Sequence, residues 1–340
     1  MDLEARIIRY LSHQLPEEGA FSVLALSRIH GGASRETFRV RVSSAHGRER
    51  GLIFRRDPIS TLIETEREVE FAAYRSFQDT RVPVPRALFL ELETDWLERP
   101  FFVMEEIEGC TAGSILATEP YGVHRRKVGE QFYSILGAIA GRDADNSDLR
   151  HHVPIPKADE AWRLELEKWE KVIDEDELEP QPIARAVIRY MRANPPPPSQ
   201  RLSIVHGDYR TGNFLVDGDG SIRAILDWEM AHIGDPLEDL GWALDPLWSA
   251  DKENPGGMFA RAEAIAVWER ASGLKADPKA LAWWTMFASL KGLAIWISSA
   301  KEFQVGTNTD PVMAFSGLFC LPFHNKRLAD LLVEAKGARA

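Results

Sequence analysis

Apolar and polar positions are arranged differently in the first third of the chain and in the rest. Val23 to Ile29 reads as a strand, and Thr37 to Val42 as a second with two-residue alternation. Gly51 to Arg56 predicts a third, Ala87 to Leu92 a fourth, and the run opening at Phe101 a fifth that leaves through Glu105, Glu106 and Glu108. Ahead of them, charges and apolar residues at helical spacing predict an opening helix that ends near Gln14. Thr61 to Phe77 predicts an amphipathic helix with Val69, Phe71 to Ala73, Tyr74 and Phe77 on its apolar face. From Gly109 onward the spacing is mostly that of helices, over 122–141, 157–175, 181–193, 257–272, 277–302 and 323–336. Strands first and helices later predict an α+β protein, with a small β-rich lobe over residues 1–107 and a larger, mostly helical one over 108–340.

One segment of the second part breaks the helical pattern. Ile204-Val205 leads into His206-Gly207-Asp208, Asn213 follows five residues on, and Phe214 to Val216 is apolar. An Asp- and Gly-rich turn (Asp217 to Gly220) then joins a second apolar run, Ile222 to Leu226, that ends on Asp227. Two short apolar runs around an Asp-Gly turn predict a hairpin. Its ends would bring Asp208, Asn213 and Asp227 toward one point. Singly, such residues are ordinary turn formers, because their side chains bond nearby backbone. As an ordered set they suit phosphoryl transfer: an acid to accept a hydroxyl proton, and an Asn and an Asp to hold magnesium.

Composition changes this picture little. The 340 residues suit two lobes sharing a cleft. With 41 basic against 52 acidic residues and a net charge of −11, no basic patch argues for nucleic acid. Cys110 and Cys320 are far apart and outside any C-x-x-C spacing, which predicts reduced thiols and a cytoplasmic protein. The N-terminal stretch has no signal-peptide core. Leu281 to Ser299 is long and apolar enough to suggest a membrane span, but Lys291 at its centre would be costly in lipid, so a buried helix is expected. His151-His152 has no partner at zinc spacing. The tryptophans (Trp162, Trp169, Trp283, Trp284, Trp296) are read as packing.

The segment from His206 to Leu240 resembles the catalytic core of the aminoglycoside phosphotransferase and choline kinase superfamily. It carries H-G-D-x-x-x-x-N as His206, Gly207, Asp208 and Asn213, then Ile225-Leu226-Asp227-Trp228, then Gly234-Asp235-Pro236-Leu237-Glu238-Asp239-Leu240. The continuation is similar to a bacterial branch related to the kinase-like domain fused to some acyl-CoA dehydrogenases. The resemblance implies a protein-kinase-like bilobal fold, ATP or another nucleoside triphosphate, Mg2+, and a small-molecule hydroxyl acceptor. It makes Asp208 the catalytic acid-base residue and Asn213 and Asp227 the metal ligands, with Arg210 in the loop positioned for phosphate or substrate. Gly31 to Glu36, between the first two strands, would cradle phosphates through Gly32 and Ser34, although it is not a G-x-G-x-x-G loop.

A cation from the third strand is expected at the phosphates. If Ile53 covers the adenine, two-residue alternation points Arg55 inward and Arg56 away. A Glu of the following helix should pair with that cation. The resemblance of Glu66-Arg67-Glu68 to the family's R-E position selects Glu68, with Glu64 and Glu66 as alternatives within a turn. Met104, Glu105 and Ile107 occupy the place of the hinge between lobes, Met104 lining the adenine pocket and the backbone of the other two meeting the base edge. His206 and Asp239 read as structural supports of the loop, and Glu229 as a salt bridge or cap. Three functions follow from these residues: a small-molecule kinase, a non-catalytic nucleotide-binding module on the same fold, and a metal-dependent hydrolase. The complete set of Asp208, Asn213 and Asp227 favours the first. A hydrolase would want a denser cluster of His and Asp.

Overall fold

The computed structural model describes residues 2–29, 36–57, 67–251 and 253–337. Helix α1 (Leu3–Gln14) starts where the Asp2 carboxylate accepts the Ala5 N–H at 2.8 Å. Strands β1 (Phe21–Ile29), β2 (Glu36–Ser44) and β3 (Glu49–Arg56) follow, then helix α2 (Arg67–Phe77), β4 (Ala87–Glu91), the short helix α3 (Thr94–Leu97) and β5 (Phe101–Glu105). The five strands form one antiparallel sheet in the order β1-β2-β3-β5-β4.

The pleat sorts the side chains onto two faces. Val40, Val42, Leu52, Phe54, Phe101 and Val103 are buried beneath Ile7, Tyr10 and Leu11 of α1. Tyr10 packs edge-on against Phe101, with ring centroids 4.8 Å apart. Ile53, Ala87, Phe102 and Met104 face the other way and join α2 and the core of the larger lobe. Each large side chain so buried contributes about 1.5–3 kcal/mol. The two-faced sheet therefore also fixes which β3 residues look into the cleft.

The larger lobe opens with β6 (Cys110–Ala112), followed by helices α4 (Arg125–Ala140), α5 (Ala161–Asp176) and α6 (Pro182–Ala193). Next come β7 (Ser203–Val205), β8 (Phe214–Asp217), β9 (Ile222–Ile225), β10 (His232–Gly234) and α7 (Leu237–Ala243). Helices α8 (Arg261–Ser272), α9 (Pro278–Val305), α10 (Pro311–Phe315) and α11 (Leu321–Gly337) complete it. Antiparallel β10 pairs with β7, and β6-β8-β9 form a small sheet. Nothing in the local pattern marks β6, whose three residues are held by pairing with β8.

Helix α9 is the axle of this lobe and packs against α5, α6, α7, α10 and α11. In its most apolar 18-residue window, 83% of the residues are buried inside the protein. Lys291, at the centre of that run, meets Glu238 of α7 at 2.9 Å. The long apolar stretch is thus a core helix whose single central charge is neutralised by protein.

Candidate active site

The site is built on the turn after β7. Gly207 has φ +86°, and a Cβ at this position would lie 2.5 Å from the Met230 carbonyl oxygen, so only glycine fits the turn. The Asp239 carboxylate accepts the N–H groups of His206 at 2.6 Å and Gly207 at 2.9 Å. Burial pushes the Asp239 carboxyl up, and these donors act against that. His206 is fully engaged: Nε2 donates to the Leu226 carbonyl at 2.8 Å, and Nδ1 accepts the Asp208 N–H at 3.1 Å. With both ring nitrogens committed, it supports the loop and has none left for proton transfer.

The β8–β9 hairpin brings in the other two groups. Phe214 pairs with Ile225, and the Leu226 N–H donates to the Asn213 carbonyl at 2.8 Å. Asn213 and Asp227 therefore flank the open end of the hairpin, beside the Asp208 loop. Asn213 Nδ2 donates to Asp208 Oδ2 at 2.6 Å. Asp208 Oδ1 also accepts from Arg210 Nε at 2.9 Å and Trp242 Nε1 at 2.8 Å. The Arg210 guanidinium lies over the Trp248 ring, 4.8 Å from its centroid. Asp227 sits in the left-handed region (φ 67°, ψ 57°), which Asp tolerates better than most side chains, and its N–H donates to the Tyr74 hydroxyl at 3.0 Å.

Arg55 links the lobes. It is 8% exposed, and its Nη2 lies 2.8 Å from Asp227 Oδ1 and 3.1 Å from Glu70 Oε1. Burial disfavours the Arg55 charge, but Glu70 and then Asp227 outweigh it and raise its pKa. Burial likewise opposes ionisation of Asp227, and the Arg55 guanidinium overcomes it, holding that carboxyl below the usual range. Arg56 points to the other face, to Glu36 at 2.7 Å and the Leu97 carbonyl at 3.0 Å. Glu229, buried, lies within reach of the Arg55 field.

The expected partner Glu68 is replaced by Glu70. Glu68 is half-buried, whereas Glu70 is fully buried and also meets Arg67 Nη1 at 2.9 Å. At 100° per residue, positions 68 and 70 point to different sides of the helix. Glu70 shares its side with Ala73, Tyr74 and Phe77, which are all buried. That spacing could have found it, since it follows the apolar face already evident in the sequence. Trp242 and Lys291 carried no comparable sign.

Gly32 and Ser34, the expected phosphate cradle, lie outside the described residues, as do Glu64 and Glu66. Ile53 and Met104 are paired neighbours on β3 and β5, both buried. The Glu105 N–H is spent on the Arg86 carbonyl at 3.0 Å, so Glu105 can meet a base edge only through its carbonyl. The Ile107 N–H has no partner among the described residues.

The donor set suits a hard divalent ion. A carboxylate acceptor fixes Asn213 with its NH2 toward Asp208, leaving its amide oxygen for a metal. Asp227 commits Oδ1 to Arg55, and its Oδ2 makes no hydrogen bond among the described residues. These are oxygen ligands of the kind magnesium prefers, and they are few.

A family model described as "Phosphotransferase enzyme family" (APH) matches residues 25–274. The chain is 25% identical over 225 residues to mouse acyl-CoA dehydrogenase family member 10, a match that covers 65% of this chain and 20% of that protein, so it spans about a fifth of the relative's length. A candidate aminoglycoside phosphotransferase from Ralstonia eutropha superposes with a TM-score of 0.75 at 17% identity, over 96% of this chain and 97% of that one. Choline kinase LicA from Streptococcus pneumoniae gives 0.63 at 14%, over 96% and 99%. A thermostable mutant of aminoglycoside phosphotransferase APH(4)-Ia, in ternary complex with AMP-PNP and hygromycin B, gives 0.57 at 15%, over 96% and 97%. These likenesses identify the bilobal protein-kinase-like α+β fold, and with the family match across residues 25–274 the chain belongs to the APH phosphotransferase enzyme family.

Proposed function

We propose that the protein is an ATP-dependent small-molecule kinase that transfers the γ-phosphoryl group to an acceptor hydroxyl. The observation that supports this reading is a pair of side-chain hydrogen bonds, Asn213 to Asp208 and Arg55 to Asp227, tied together by the Leu226 N–H to Asn213 carbonyl bond at the open end of the β8–β9 hairpin. Asp208 orients the acceptor hydroxyl and takes its proton as the new P–O bond forms. A carboxylate offers about four lone-pair sites. Trp242 meets Oδ1, Asn213 meets Oδ2, and Arg210 Nε is shared between the two at 2.9 and 3.1 Å, so an acceptor hydroxyl would take the place of the longer Arg210 contact. In a loose transition state such positioning matters more than basicity.

Asn213 through its amide oxygen and Asp227 through Oδ2 would hold Mg2+, which when bound neutralises charge on the phosphates. Arg55, beside Glu70, grips the phosphates from the sheet side, and Gly32 and Ser34 are retained from the sequence alone as further phosphate contacts. Ile53 and Met104 wall the adenine pocket, and the Glu105 carbonyl and Ile107 N–H meet the base edge. Arg210, stacked on Trp248, faces the acceptor. A hydroxyacyl compound, a choline-like amino-alcohol and a sugar are the acceptor classes to be screened.

The test is ADP release by the full chain with MgATP across an acceptor library, beside MgATP-induced thermal stabilisation. A productive acceptor whose phosphorylation disappears in Asp208→Ala, with nucleotide binding retained, is the expected result. Stabilisation by MgATP with no turnover on any acceptor would instead identify a non-catalytic nucleotide-binding module. No response to nucleotide at all would overturn both readings.

A further inference from the structure

We propose that Lys291 is a positioning residue for phosphoryl transfer: its buried ammonium, held by Glu238, fixes the Gly207 carbonyl and with it the backbone from which Asp208 works. The inference rests on the catalytic role proposed above for Asp208. Lys291 is 1% exposed in the middle of α9, where an ammonium costs several kcal/mol that an apolar side chain would avoid. A residue that served packing alone would carry no charge here.

What the charge reaches is the catalytic turn. Lys291 Nζ donates to the Gly207 carbonyl at 2.6 Å and to Glu238 Oε1 at 2.9 Å. The carbonyl of Gly207 belongs to the peptide plane that ends in the Asp208 N–H, and that N–H is itself bonded to His206 Nδ1. The same plane is therefore held from both sides, while Asp239 holds the peptide before it through the Gly207 N–H. Lys291 also lies against the Trp242 ring, 5.2 Å from its centroid, and Trp242 donates to the Asp208 carboxylate. One ammonium thus supports Asp208 through its backbone and through the indole that orients its side chain.

Behind Lys291 stands a buried acid–base group. Glu238 Oε2 accepts from His232 Nε2 at 3.1 Å, and Glu165 Oε1 lies 3.6 Å from the same nitrogen. Glu165, His232 and Glu238 have ligand atoms close enough to hold a metal ion. The cation bonded there is the Lys291 ammonium, so the cluster is its counter-ion and no metal need be invoked.

A merely structural ion pair would balance Glu238 and do nothing more, and two variants of the full chain separate the roles. Lys291→Met removes the donor and leaves Glu238 without its ammonium. Lys291→Met/Glu238→Gln removes the donor with no carboxylate left uncompensated, and it carries the test if the single variant does not fold. With MgATP and the acceptor found by the library screen, both should lose about 10- to 100-fold in kcat. The KM for ATP and the MgATP-induced thermal shift should stay within about twofold of wild type. Hydrogen–deuterium exchange should quicken in the peptide covering residues 204–212 and stay unchanged in α4 and α8. A double variant with wild-type kcat and wild-type loop protection overturns the proposal. So does failure of both variants to fold, which would make Lys291 a requirement of the fold. If the wild-type protein turns over no acceptor, the kinase reading falls, and exchange at 204–212 still decides what Lys291 does: unchanged exchange in the double variant overturns the role.

Discussion

Glu70 offers the sharpest test of how the cleft is held together. Its carboxylate is fully buried between two guanidiniums, Arg55 at 3.1 Å and Arg67 at 2.9 Å. Glu70→Gln keeps the shape and removes the charge, leaving two buried cations short of a counter-ion. Removing one partner of a buried pair costs about 3–5 kcal/mol. Arg55 keeps Asp227 at 2.8 Å and Arg67 keeps Asp57, so the lower end, about 3 kcal/mol, is expected. Without Glu70, Arg55 is drawn toward Asp227 and away from incoming phosphate, and MgATP affinity should fall about tenfold, or ~1.4 kcal/mol. Urea denaturation reads the first quantity and calorimetric titration with MgATP the second. The control is Glu68→Gln, a half-buried position two residues away, which should stay within about 0.5 kcal/mol of wild type. A costly Glu68→Gln beside a neutral Glu70→Gln would refute the assignment and return the strand cation to the partner expected from the sequence.

Three other outcomes follow from the same geometry. Asp227→Ala should abolish the magnesium dependence of ATP-induced thermal stabilisation, and an unchanged difference with and without magnesium would rule out a metal ligand at this position. Gly207→Ala should lose more than about 2 kcal/mol of stability together with turnover, because its Cβ would meet the Met230 carbonyl at 2.5 Å in a left-handed turn; a stable, active variant would show that the turn can relax. Burial lowers the pKa of His232, but Glu165 and Glu238 outweigh it and raise it, with Lys168 opposing and the Lys291 ammonium on the far side of Glu238. A raised folded pKa means that this stabilisation is complete below the ordinary histidine value and is lost as pH climbs through the folded value. Thermal denaturation from pH 6 to 9 should therefore show a decline that flattens in His232→Gln, and parallel curves would remove His232 as its source.

Much of the fold is legible in the sequence because its signals are local. Two-residue alternation marks β2 and β3, helical spacing marks α1, α4 to α6, α8, α9 and α11, and an Asp-Gly turn between apolar runs marks the β8–β9 hairpin. The same hairpin brings Asn213 and Asp227 beside Asp208, since pairing Phe214 with Ile225 leaves little freedom at its open end. What stays hidden depends on distant packing. Choosing between Glu68 and Glu70 requires knowing which side of α2 faces β3, and a motif resemblance pointed to the wrong side where the apolar spacing did not. Trp242 reaches Asp208 only because α7 packs on α9, and Lys291 stands out in the sequence as an awkward charge with no visible destination. The three residues of β6 have no pattern of their own to read.

The crowding of donors around the Asp208 carboxylate bears on nucleotide economy. Water entering the cleft alone meets an oxygen pair already claimed by a guanidinium, an indole and an amide, and it lacks the bulk to displace the stacked Arg210 from Trp248. On the kinase reading proposed above, futile hydrolysis should therefore stay slow until a molecule large enough to engage that aromatic wall presents its hydroxyl. Arg210→Ala should raise the ratio of phosphate release to acceptor phosphorylation, and an unaltered ratio would mean that thrift is secured elsewhere.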